Sequence, residues 1–299
     1  MDTKIALGSV QFGMDYGITN KLGKVDSKEI KSILSLANLK NITFIDTAQA
    51  YGNAEKKIGE LCEDKSNLYF ISKLKPQNTK KYNFSMEEKW EQEFQRTLSN
   101  LKVKNLDAFL VHNPNDISNE NSDFLLNWLK NLKKRNLVKR IGISIYHDTN
   151  INNLPLREID LIQLPLSLYD QRLLSNGTVK KLYDLNISIH SRSIFLQGLL
   201  LENSLNWPKN INQDFIYHHK KLENFLNKRN ISLLDAALSF QNKCKYIEAF
   251  LVGVLSCNQL SNILNSWKSI NKKDPLSNEQ LLSWSWNNEK DLDPRFWNK

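Results

Sequence analysis

Three observations predict an α/β protein built as a parallel (β/α)8 TIM barrel. Short β-branched and aromatic runs alternate with amphipathic segments of helical period along nearly the whole chain. Eight strand-like runs can be distinguished, the number that closes such a barrel. Several of them end on a polar side chain able to do chemistry, as the C-terminal rim of a barrel requires.

Taken in order, Lys4–Leu7 reads as the first strand. It leads into Gly8–Gly13, a glycine-bearing loop where a ligand could approach the backbone. Ser27 is expected to cap a helix with apolar spacing at Ile30, Ile33, Leu34 and Ala37. Thr43–Ile45 is the second strand and ends on Asp46; Tyr51 follows in a loop, then Gly52 and a helix with Asn53 as its N-cap. Leu68–Ser72 is the third strand, ending at Lys73, and Met86–Leu101 a helix burying Trp90, Phe94, Leu98 and Leu101. Ala108–Val111 is the fourth strand, ending at His112, and Phe124–Leu137 the helix after it. Arg140–Ile143 is the fifth, ending at Ser144. After only a short connection comes the sixth, Leu161–Leu164, which carries Gln163.

Leu173–Leu185 reads as helix and Ile187–His190 as the seventh strand, leading to Ser191, Arg192 and Ser193. Phe215–Asn227 and Ser232–Asn242 make one long or broken helical stretch, with His218 and His219 expected on a solvated face. Ala249–Val252 is the eighth strand, ending at Gly253, and Gln259–Trp267 the last helix. His147 and His190 are placed near the rim. The Asn- and Ser-rich stretches 115–123 and 202–213 read as rim loops. Nothing marks a linker or repeat, so residues 1–299 are expected to form a single domain.

A hydrophobic content of 40% and an aromatic content of 10% suffice for a large core. The net charge of +9 is spread over Lys-rich helix faces without an RNA-binding motif, zinc spacing or basic–aromatic repeat, which argues against nucleic acid as a partner. Cys62, Cys244 and Cys257 form no C-x-x-C pair and read as reduced thiols of a cytoplasmic protein. The N-terminus lacks a signal-peptide pattern, and no run of about 18 apolar residues suggests a membrane span. No His/Cys/carboxylate spacing suggests a metal.

The candidate chemistry lies at successive strand ends. Parallel neighbours run about 4.8 Å apart, so Asp46, Lys73 and His112, with Tyr51 in the loop after Asp46, should converge on one patch of the barrel mouth. Each alone has a bland explanation as a turn cap, rim lysine or packed ring; their joint arrival does not. A phenol near pKa ~10 is a poor acid at neutral pH. An ammonium beside it should lower that value, with Asp46 holding Lys73 charged and His112 donating to a substrate oxygen.

Asp46-Thr47-Ala48-x-x-Tyr51-Gly52-x-x-Glu55 resembles the motif of the aldo-keto reductases, and Ile71–Leu74 and Phe109–Asn113 resemble that family's lysine and histidine strands. The resemblance spans almost the whole chain. It implies a catalytic tetrad of Asp46, Tyr51, Lys73 and His112, with Tyr51 as the general acid in reduction. It further implies reduction of an aldehyde, ketone or sugar with NADP(H) as cofactor and NAD(H) as the lesser option. Ser144 and Gln163 match residues that bind the nicotinamide carboxamide, whereas the neighbouring Asn position holds Ile145. Arg192 takes the place of an aromatic stacked on the nicotinamide. Ser193 and Gly198 match the pyrophosphate loop, and Gly253, Ser256 and Gln259 the adenosine segment. The positions where NADPH-selective members carry Lys and Arg hold Gly253 and Gln259. The resemblance also places a C-terminal tail, 270–299, over the barrel mouth. Met14–Gly17 and Asp293–Trp297 look like bacterial reductases encoded with surface-polysaccharide genes, which suggests a sugar or nucleotide-sugar substrate. The alternative from another class is a non-catalytic nucleotide-binding barrel that regulates a partner protein. The oligomeric state is not legible.

Overall fold

A computed structural model describes residues 3–77, 79, 81–118 and 122–297. Eight parallel strands close into a barrel in sequence order: β1 (Lys4–Gly8), β2 (Phe44–Asp46), β3 (Tyr69–Leu74), β4 (Leu106–Val111), β5 (Val138–Ser144), β6 (Leu161–Pro165), β7 (Ser188–Arg192) and β8 (Ala249–Gly253). β8 pairs back onto β1, with Gly8 opposite Gly253, so the expected fold is the observed one.

The helices are α1 (Val10–Gly13), α2 (Ser27–Leu39), α3 (Ala54–Leu61), α4 (Phe84–Leu101), α5 (Ser122–Lys134), α6 (Arg172–Ser175), α7 (Thr178–Asp184), α8 (Gln213–Asn227), α9 (Leu233–Lys243), α10 (Cys257–Lys272), α11 (Asn278–Leu282) and α12 (Glu289–Leu292). Each long one turns an apolar stripe onto the barrel; α4 buries Trp90, Phe94, Leu98 and Leu101, the stripe its sequence predicts.

Several local expectations need correction. The stretch Gly8–Gly13 is not an open loop, because Val10–Gly13 closes a short helical turn. Asp26, not Ser27, caps α2, accepting the Glu29 N–H. Asn53 stands at the N-cap of α3 but makes no side-chain cap bond. The segment 173–185 breaks into α6 and α7 at Gly177, whose φ of +81° ends one helix and starts the next. α8 and α9 are separate, the second opened by a capping box between Ser232 and Asp235. Between β5 and β6 the chain has two 3-10 turns and no α-helix. Residues 119–121 of the expected rim loop 115–123 lie outside the described residues.

The N-terminal end of the barrel is plugged by charge. Arg140 on β5 pairs with Asp107 and places Nη1 2.7 Å from Glu248, which also meets His190 Nε2 at 3.1 Å. His190 therefore belongs to this floor and not to the rim. Burial works against the Glu248 carboxylate, but its bonds to His190 and Arg140 outweigh that cost and hold its pKa at about 2, below the ordinary 4.5. A depressed carboxyl stabilises the fold above its unfolded pKa and loses that contribution as pH falls towards the folded value. Glu248→Gln is thus expected to lower the melting temperature at pH 7, with the deficit closing between about pH 4.5 and pH 2. Thermal melts of both proteins across that range check this; a deficit independent of pH would show that the charge is not responsible.

The tail packs on the C-terminal face. Trp286 donates its backbone N–H to the Tyr169 carbonyl at 2.8 Å and stacks on Phe215, and Arg295 lies 3.8 Å over the Tyr146 ring. His147 meets Glu289 at 3.1 Å and Asp293 at 3.9 Å, a trio that sequence spacing does not reveal; Asp293 is itself bonded to Arg295. Among the described residues no helix is long and apolar enough to cross a membrane.

Candidate active site

β2, β3 and β4 deliver Asp46, Lys73 and His112 to adjacent strand ends, as their register requires. Lys73 is fully buried and Asp46 is 1% exposed. Lys73 Nζ lies 2.6 Å from Asp46 Oδ1 and donates to the Thr47 carbonyl at 2.9 Å. The other Asp46 oxygen accepts from Gln163 Nε2 at 2.8 Å. Gln163, expected to meet a nucleotide amide, is therefore also part of the tetrad's support.

Tyr51 sits above this pair, with Lys73 Nζ 5.3 Å from its ring centroid and the His112 ring edge-on at 5.7 Å. Its position depends on a backbone-on-backbone contact. Gly52 has φ +57°, and a Cβ there would lie 2.5 Å from the Gly13 carbonyl oxygen; one on Gly13 would lie 1.8 Å from that of Tyr51. The Tyr-Gly pair of the motif is therefore steric in origin: α1 can press against the tyrosine loop only without these side chains.

The electrostatics differ from the expectation in one respect. Burial pushes the Tyr51 phenol well above its ordinary value, Asp46 adds to this, and the opposing cation is Arg192. Lys73 was expected to lower that pKa, but it is bonded to Asp46 at 2.6 Å and is not among the charges that lower the phenol. Burial also lowers Lys73 itself, against the pull of Asp46. Burial, then Lys73 and Arg192, drive His112 down to about 3, so its imidazole is neutral at physiological pH.

These groups open into a cavity of about 580 Å³ that runs from Tyr51 and His112 past β7 to the first turns of α10. Ser144, Gln163, Arg192, Ser193, Gly198, Gly253 and Gln259 all line it. Ser256 does not; its hydroxyl caps α10 by accepting the Gln259 N–H. Ile145, in place of the expected Asn, is buried and gives its carbonyl to Arg192 Nη2 at 2.9 Å.

Sequence reasoning missed two aromatic side chains. Tyr146 lines the cavity between two guanidinium groups, Arg192 at 4.6 Å and Arg295 at 3.8 Å from its ring. Tyr16, in the loop after α1, also lines it, and burial pushes its phenol up to about 12. Their loop positions gave no periodic signal. The expected solvated His218–His219 pair is a further correction. His219 is fully buried, accepting from Tyr169 Oη at Nδ1 (2.7 Å) and donating from Nε2 to the Glu202 carbonyl (2.8 Å). The signal was there, since 219 falls one turn after Phe215 on the stripe continued by Leu222 and Leu226.

A sequence model of the Aldo/keto reductase family matches residues 4–281. The chain belongs to the aldo-keto reductases. Among solved structures it resembles an aldo-keto reductase of Bacillus halodurans in its holo form, at 17% identity and a TM-score of 0.73, covering 98% of this chain and 96% of that one. It also resembles a Pseudomonas aeruginosa protein assigned to the aldo-keto reductases, at 21% identity and a TM-score of 0.65, covering 90% of each. At such identities the structural likeness speaks for the fold, and the family assignment rests on the sequence match. None of the curated proteins searched matches. As an aldo-keto reductase the chain is an NAD(P)H-dependent oxidoreductase of carbonyl compounds.

Proposed function

We propose that Tyr51 is the proton donor of a carbonyl reduction carried out at this cavity, on a small hydroxylated aldehyde or ketone such as a sugar. The observation that carries the reading is the buried Lys73–Asp46 pair beneath Tyr51, with a neutral His112 against the same ring. The cavity also suits a nicotinamide nucleotide. Ser9 Oγ, Gln11 Oε1 and Arg192 Nε are buried without partners, and their residues line the cavity, so polar groups stand ready for a ligand.

When bound, the nucleotide supplies the hydride for the carbonyl carbon. The side chains manage the charge that then develops on oxygen. His112, neutral, can donate a hydrogen bond to it; a protonated imidazole would be costly beside Lys73 and Arg192. Tyr51 gives up its proton to the nascent alkoxide, a stronger base than phenolate, so its raised pKa still permits transfer in the direction of reduction. Because an acid with a raised pKa stays protonated to higher pH, reduction should persist into alkaline solution, whereas oxidation, which needs the phenolate, is held back. Asp46 and Gln163 fix the position of Lys73. Tyr16, Tyr146 and Gln197 give the wall a polar character that suits a substrate rich in hydroxyls.

The test is to mix the protein with NADPH or NADH and a panel of aldehydes, ketones and reducing sugars, and to follow nucleotide absorbance. Turnover is expected, with hydroxylated substrates preferred by kcat/KM. Silence towards every carbonyl, with nucleotide binding intact, would sink the reading.

A further inference from the structure

We propose that Arg295, on the C-terminal tail, is a positioning residue for the carbonyl reduction: through the Tyr146 ring it fixes the guanidinium plane of Arg192 in the cavity wall. The inference rests on the reading that the reduction takes place at this cavity.

Arg192 ends β7 and lines the cavity together with Tyr51 and His112. Its charge bears on both groups, opposing the rise of the phenol and adding to the fall of the imidazole. Yet few bonds hold it. Nη2 donates to the Ile145 carbonyl at 2.9 Å, Nη1 reaches the Ser193 hydroxyl only at 3.4 Å, and Nε is buried without a partner. A long side chain with one good bond keeps rotamer freedom, and ordering it costs entropy. The Tyr146 ring restricts that freedom, its centroid 4.6 Å from the guanidinium carbon.

Tyr146 needs support in turn, because it belongs to the loop after β5 and not to a strand. A turn closed by Thr149 holds its backbone. The Tyr146 N–H donates to Thr149 Oγ1 at 3.0 Å, and the Thr149 N–H donates to the Tyr146 carbonyl at 3.2 Å. The ring is held by Arg295, whose guanidinium carbon lies 3.8 Å from the same centroid. Arg192 belongs to the cavity lining and Arg295 does not, which puts the ring between them.

Two cations on one ring repel each other, and carboxylates relieve this on the tail side. Asp293 accepts from Arg295 Nε at 2.8 Å and from Nη2 at 2.5 Å, and Asp148 accepts from Nη2 at 3.1 Å. Asp293 also caps the last 3-10 turn through the Arg295 N–H at 2.9 Å, so the local backbone aims the side chain. Arginine suits this place because its planar group can lie flat on a ring while forking to carboxylates. The tail has other anchors, in Trp286 stacked on Phe215 and in Glu289 at 3.1 Å from His147. Removing Arg295 should therefore release the stack without releasing the whole tail.

The test is steady-state kinetics with a carbonyl that the wild type reduces, on Arg295→Met, Arg295→Lys, Tyr146→Phe, Tyr146→Leu and the double variant Arg295→Met/Tyr146→Leu. Thermal melts show that each is folded at the assay temperature, and Arg295→Gln replaces a methionine variant that is not. Arg295→Met and Tyr146→Leu should each lower kcat/KM by about three- to thirtyfold, the range of one cation–π contact. The double variant should stay within about twofold of the worse single one, because both substitutions break the same stack. Tyr146→Phe, which keeps the ring, should lose less than Tyr146→Leu. Arg295→Lys should lie closer to Arg295→Met than to the wild type, since an ammonium has no plane to stack. Glu289→Ala, which frees the tail at His147 and spares the stack, should hold kcat/KM within about twofold of the wild type. A loss below twofold in Arg295→Met, losses that multiply in the double variant, or equal damage from Glu289→Ala would overturn the positioning role. Wild-type silence towards every carbonyl would overturn the reading of the cavity, and the role of Arg295 with it.

Discussion

Tyr51→Phe is expected to lower kcat by ~10²–10⁴-fold, the usual contribution of a positioned acid, while nucleotide affinity stays within about threefold. The ring that packs edge-on against His112 and over Lys73 is retained, so only the transferable proton is lost. Steady-state kinetics and a nucleotide titration on the same preparation separate the two effects. A variant keeping more than about a tenth of wild-type kcat would take the proton-donor role away from Tyr51.

Lys73→Met should have the second large effect, on stability as well as rate. Asp46, 1% exposed, would keep only the Gln163 amide as a partner. Removing one member of a buried ion pair typically costs ~3–5 kcal/mol, since the remaining charge has no solvent to turn to. The double variant Lys73→Met/Asp46→Asn should recover much of that loss but none of the activity, because both charges are gone together. The sign for the phenol follows from the same arrangement. Burial and Asp46 already raise the Tyr51 pKa, and without Lys73 the Asp46 carboxylate would lose its bonded cation, leaving Arg192 to oppose it. Any Tyr51-dependent limb of the pH profile should therefore move to higher pH, and oxidation should suffer more than reduction at a given pH. Unchanged melting temperature and pH profile would mean that Lys73 and Tyr51 are not coupled.

Much of the fold was legible because barrel strands buried on both faces read as short apolar runs, and strand ends announce themselves by the polar residue that follows. Lys73 and His112 could be placed for that reason, as could the stripe of Trp90, Phe94, Leu98 and Leu101. Failures cluster where a side chain is satisfied by something distant. His219 read as a solvated residue because its partners, Tyr169 and the Glu202 carbonyl, lie outside its own helix. His190 was misplaced at the rim because its partner Glu248 belongs to the neighbouring strand's approach. Ser256, at a position that matches ligand binding in the family, also caps α10, since a hydroxyl before a first helical turn finds the nearest free N–H.

The sequence by itself determined the order of strands and helices, the membership of Asp46, Tyr51, Lys73 and His112 in one site, and the family. Periodicity, strand ends and a local motif are properties of neighbours in the chain, and the order of residues is enough to express them. Only the tertiary structure decided how charge is distributed. Lys73 proved to be bonded to Asp46, Arg192 to be the cation facing the phenols, and Glu29 to sit on the first turn of α10. Such pairings form between residues brought together by barrel closure, over separations as large as the 228 residues between Glu29 and Cys257. Electrostatic interactions fall with distance in space and take no account of distance along the chain, so they could be assigned only once the chain had closed.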